Sequence, residues 1–120
     1  MNILNIEDTA IKHNDICKVL REKETINIDW VKNLEDALEK IEKNSYDLII
    51  TDMYYPLVRG GAEEEAGMKL IEELQQLHIR TPIIVCSSVK LKISEVLGTI
   101  CYSKESNWED ELREMVGSMI

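Results

Sequence analysis

The chain has 120 residues, of which 44% are hydrophobic and 31% charged, and its formal charge is −9. That length suits one domain with a real core, and the acidic balance argues against direct binding to nucleic acid, which needs Lys and Arg to neutralise phosphates. No apolar run approaches the ~20 residues of a membrane span and no basic-then-apolar leader opens the chain, so a cytoplasmic protein without membrane contact is expected.

Apolar segments and helical patterns alternate from the start. Residues 2–6 read as a strand that runs into the acid pair Glu7-Asp8. A helix is predicted from about Thr9 to Glu22, with Ile16, Val19 and Leu20 facing inward. Residues 25–30 alternate with period two, as a strand with one partly exposed face does. Asn33 can cap the next helix, where Leu34, Ala37, Leu38 and Ile41 form an inward stripe. The apolar run Leu48-Ile49-Ile50-Thr51 then emerges at Asp52.

After an irregular stretch, Leu70, Ile71, Leu74 and Leu77 mark a third helix that stops before Thr81-Pro82. Residues 82–86 form a strand ending at Ser87, a short segment runs from Val89 to Leu97, and a last strand covers Thr99 to Ser103. Ser106 and Glu109 have the spacing of a capping box for a final helix carrying Leu112, Met115, Val116 and Met119. The order is β-α repeated five times, and right-handed crossovers then place helices on both faces of a parallel sheet.

Parallel strands point the same way, so the strand ends at Glu7-Asp8, Asp52 and Ser87 share one edge of the sheet. Ligands of open α/β sheets bind at that edge. Three carboxylates gathered there repel one another unless a cation joins them, and hard oxygen ligands suit Mg²⁺. Cys17, Cys86 and Cys101 are an odd number without metal-ligand spacing and read as free thiols, mostly buried. His13 and His78 have no carboxylate or second histidine at ligand spacing and read as surface or helix-packing residues, and Trp30 and Trp108 read as packing residues.

The stretches 3–8, 46–52 with Pro56, 81–87, and Lys104 just after the fifth strand together resemble the receiver domains of two-component response regulators. The resemblance spans essentially the whole chain. It implies a flavodoxin-like fold with a five-stranded sheet of order 2-1-3-4-5, and a stand-alone receiver over residues 1–120 with no output domain. It further implies that Asp52 accepts a phosphoryl group from a histidine kinase or phosphotransfer protein. Asp8 would then ligate Mg²⁺ directly, Glu7 would reach it through water, and the Tyr54 backbone carbonyl would complete the protein ligands. Ser87 would hydrogen-bond the phosphoryl group, with Ser88 as its neighbour and competitor, and Lys104 would pair with the phosphoryl oxygens. Such a protein is a phosphoacceptor that signals to a downstream protein partner, not a conventional enzyme. The alternative is a degenerate receiver, never phosphorylated, that acts as a constitutive interaction module.

Departures from the family pattern carry expectations of their own. Glu105 stands where the family has Pro after the lysine, so that loop is shaped without the usual proline. The aromatic switch position falls on Cys101, with Tyr102 one residue off, so either the strand carries a bulge or the Tyr-based switch is absent. The span from Ser87 to Lys104 is short enough that the fourth helix must be stunted or irregular. Residues Leu57 to Ala66 are an insertion with a Gly60-Gly61 hinge, whose glutamates could add a first turn to the third helix and which could serve as a docking or lid element.

Overall fold

A strand covered on both faces is apolar at nearly every position, and β3 (Leu48–Thr51) is buried throughout. A computed structural model describes residues 1–23 and 25–119. Besides β3, these residues form β1 (Asn2–Ile6), α1 (Ala10–Leu20), β2 (Asn27–Val31), α2 (Leu34–Lys43), β4 (Tyr55–Pro56), β5 (Glu63–Glu64), α3 (Ala66–Gln76), β6 (Ile83–Ser87), β7 (Gly98–Cys101) and α4 (Trp108–Gly117). The sheet order is β2-β1-β3-β6-β7, with every neighbouring pair parallel. Counting only the strands of this sheet, that is the expected 2-1-3-4-5 flavodoxin-like order.

Alternation along the strands divides the core in two. Leu4, Ile6, Ile49, Ile83 and Val85 pack with α2 and α3 on one face. Ile3, Leu48, Ile50, Ile84 and Ile100 pack with α1 and α4 on the other. Asn33 caps α2 as expected, its side chain accepting from the Asp36 N–H at 2.8 Å. The capping box at the last helix does not form. Ser106 turns away to donate to the Cys101 carbonyl at 2.5 Å, and Asn107, which makes no side-chain cap bond, stands at the helix start.

Two regions depart from an even alternation of strand and helix. Between β6 and β7 the chain is irregular, and Leu91, Ile93 and Val96 cover the sheet where a fourth helix would lie. The insertion is a small antiparallel hairpin, with Tyr55 opposite Glu64 and Pro56 opposite Glu63. Its glutamates therefore extend a strand and do not lengthen α3. Gly60 has φ 77, and the Gly61 N–H returns to the Val58 carbonyl at 3.0 Å, so the paired glycines make a tight turn. Leu57 also accepts from the Glu35 N–H at 2.9 Å, satisfying one of the free donors at the start of α2.

Candidate functional site

The carboxyl ends of β1 and β3 lie side by side, with Ile6 opposite Thr51 and the Asp52 N–H bonded to the Ile6 carbonyl at 3.0 Å. This register brings Glu7, Asp8 and Asp52 together, with one carboxylate oxygen from each within 4.8 Å of the others. Glu7 is buried, while Asp8 and Asp52 are half-buried and face the edge. Glu7 Oε2 accepts from the Thr9 N–H at 3.0 Å, and Asp52 Oδ1 accepts from the Met53 N–H at 2.7 Å. Glu7 Oε1 is buried without a hydrogen-bond partner.

Lys12 fills part of that deficit. From the first turn of α1 its ammonium lies 3.0 Å from Glu7 Oε1 and 3.4 Å from Asp52 Oδ2. The Glu7 contact is close enough for ion pairing but is not aligned as a hydrogen bond. The aligned bond goes to the Cys86 carbonyl at 2.5 Å. One cation thus serves two acids. Burial pushes the Glu7 carboxyl up from its ordinary value against the pull of Lys12. Burial also works against the Lys12 charge, but Glu7 and Asp52 outweigh it and hold the ammonium above its ordinary value.

The donor set fits a hard divalent cation. It consists of carboxylate oxygens, includes a buried oxygen lacking a bond, and keeps a net negative charge after Lys12 is counted. Tyr54 follows Asp52 by two residues in the loop between β3 and β4. Ser87 ends β6, buried, its Oγ accepting from the Val89 N–H at 3.2 Å, while Ser88 is exposed.

Lys104 is not brought to the cluster. It is exposed, makes no ion pair among the described residues, and lines a groove between α1 and α4 with Asp15, Tyr102 and Trp108. Tyr102 points the same way, its hydroxyl donating to Asp15 Oδ2 at 2.5 Å, whereas Cys101 Sγ lies 3.9 Å from the Ser88 carbonyl. The two candidates for the switch position therefore make separate contacts, and the aromatic one is engaged with α1.

Sequence reasoning missed Lys12. The signal was there: stepping back one turn from Ile16 along the inward stripe lands on a lysine four residues after the acid pair. Trp30 packs as expected, its ring stacked on His13 with centroids 4.0 Å apart, and its indole N–H also donates to the Glu7 carbonyl at 2.7 Å. Gly67 holds the other side of the acid loop. A Cβ there would sit 2.7 Å from the Asp52 carbonyl oxygen and 2.8 Å from Met53 Cα, so α3 can start this close only with glycine.

The sheet order and an acidic cluster at its carboxyl edge define a flavodoxin-like α/β domain with a candidate cation site. A family profile described as the response regulator receiver domain matches residues 3–98, and the chain belongs to that family. The receiver domain of a Francisella response regulator superposes with a TM-score of 0.78 at 22% identity, covering 98% of this chain and 94% of that one. The response regulator TrrA of Thermotoga maritima, in complex with Mg²⁺ and BeF, gives a TM-score of 0.77 at 25% identity, covering 99% and 98%. A protein-glutamate methylesterase/protein-glutamine glutaminase of Treponema denticola is 28% identical over 90 residues, 74% of this chain but 22% of the relative's length. The chain thus spans about a fifth of that curated relative.

Proposed function

We propose that this chain is a receiver that accepts a phosphoryl group on Asp52 from a phosphohistidine donor, a histidine kinase or phosphotransfer protein, in the cytoplasm. The observation that carries the reading is the convergence of Glu7, Asp8 and Asp52 around a buried, unbonded carboxylate oxygen at the carboxyl edge of the sheet. An Asp52 carboxylate oxygen attacks phosphorus as the bond to the donor nitrogen breaks, and the electron pair leaves with the imidazole. Glu7, Asp8, Asp52 and the Tyr54 carbonyl would hold Mg²⁺, which when bound neutralises charge on the transferring group. Ser87, at the end of β6, donates its hydroxyl to the phosphoryl group, and the altered charge biases the surrounding loops toward a downstream protein.

Acetyl phosphate with Mg²⁺ should add one phosphoryl group, labile to hydroxylamine, and Asp52→Asn should abolish it. Intact mass spectrometry reads both. A second reading, a receiver that works without phosphate, is favoured by Lys12 already standing beside Asp52 at 3.4 Å as a built-in counter-charge. An unmodified wild type across small donors and cognate kinase would select it.

A further inference from the structure

The position of Lys12 is physically expensive unless it serves the acid site. An ammonium in the first turn of a helix faces the positive end of the macrodipole, and α1 has no acidic residue in that turn to offset it. The Lys12 side chain is only 7% exposed, and a buried ammonium must be paired and hydrogen-bonded. Its partners come from three separate strand ends: Glu7 after β1, Asp52 after β3, and the Cys86 carbonyl in β6. The carbonyl bond sets the ammonium between Asp52 and the residue preceding Ser87. Lys104, meanwhile, is exposed and makes no ion pair among the described residues.

We propose that Lys12 is the catalytic cation that pairs with the phosphoryl group on Asp52, in the role the family resemblance assigns to Lys104. This rests on Asp52 being the phosphoacceptor. In the transfer, an Asp52 oxygen bonds to phosphorus while the bond from phosphorus to the donor's leaving atom breaks, and that electron pair departs with the donor. Lys12 releases no proton. It stays an ammonium and exchanges the Asp52 oxygen for a phosphoryl oxygen, keeping the Cys86 carbonyl as its anchor. Before transfer the same charge, 3.0 Å from Glu7, opposes a divalent cation at the carboxylates. Lys12 therefore weakens Mg²⁺ binding by the free protein while promoting attachment of the phosphoryl group. A lysine with a merely structural role would not show these opposite signs.

The test compares wild type, K12Q and K104Q. Mg²⁺ alone and then beryllofluoride with Mg²⁺ are titrated by Trp fluorescence, and acetyl phosphate labelling is timed by intact mass. K12Q should bind Mg²⁺ more tightly, yet lose at least about tenfold in beryllofluoride affinity and labelling rate. K104Q should stay within about twofold of wild type on every measure, as expected for an exposed, unpaired lysine. A folded K12Q that binds beryllofluoride like wild type overturns the proposal. If thermal melts show K12Q unfolded, K104Q decides: retained binding upholds the proposal and lost binding overturns it. A wild type that neither binds beryllofluoride nor takes label overturns the phosphoacceptor reading, and this inference falls with it.

Discussion

Asp52 and Lys12 sit 3.4 Å apart and show what a sequence can and cannot reveal about a single residue. Asp52 is legible because it breaks a run that burial keeps apolar on both faces of the sheet. Lys12 is not, because a charged residue on a helix reads as solvated until its acid partners are known. His13 is similar. Asn5 Nδ2 donates to the Ile50 carbonyl, which leaves Asn5 Oδ1 to accept, so the His13 Nδ1 at 2.6 Å carries the proton. Around this ring lie Asn5 from β1, Trp30 from β2 and Cys17 one turn along α1. Burial, with the Arg21 charge, holds the imidazole below its ordinary value of 6.5. The unfolded chain therefore takes up the proton first as pH falls. Stability linked to His13 should be complete above the unfolded value and decline below it, through the folded one. Urea melts between pH 7.5 and 5 should show a smaller decline for His13→Gln than for wild type, and equal slopes would contradict this account.

At the scale of elements, the strands of the main sheet and all four helices were legible, since burial on both faces leaves continuous apolar runs in strands such as β3 and β6 and writes period 3.6 into helices. The insertion was not. Strands of two residues carry no periodicity, and Glu63-Glu64 reads as a helix start until its pairing with Tyr55-Pro56 is seen. The capping box misled because Ser106 found better partners at Cys101 and Ser103. The hairpin joins the acid loop to α2 through the Leu57 carbonyl and the Arg59–Asp36 contact of 3.5 Å, whereas the segment between β6 and β7 has no helix to reposition. Phosphorylation should therefore alter amide exchange in residues 57–65 more than in 89–97. Shortening the turn at 58–61 while keeping Leu57 should spare phosphoacceptance and weaken binding of the downstream partner. Exchange changes concentrated at 89–97, with a silent hairpin, would place the signalling face elsewhere.

For the molecule as a whole, a charge of −9 means that folding gathers like charges, and the acid cluster of Glu7, Asp8 and Asp52 is one place where they crowd. A cation that binds only the folded state raises stability with the logarithm of its concentration. Thermal midpoints should climb with Mg²⁺ in wild type and much less in Asp8→Asn, at matched ionic strength. Identical Mg²⁺ dependence in the two proteins would remove Asp8 from the site. Among the described residues no helix is long and apolar enough to cross a membrane.

The glycine at position 67 has a mechanical consequence. Backbone rests on backbone where α3 meets the acid loop, and the Gly67 N–H is bonded to the Met53 carbonyl at 2.9 Å. Such a joint has little slack to absorb a shift, and the Met53 sulfur also lies within 3.1 Å of where a Cβ would stand. If Asp52 takes up a phosphoryl group as proposed, recoil of the loop should reach α3 as a push, as between a rod and its seat. A methyl group at this joint would wedge it open: Gly67→Ala should lower stability by roughly 1–3 kcal/mol in urea melts and slow labelling at Asp52. A variant as stable and as quickly labelled as wild type would mean that the seat is softer than its geometry implies.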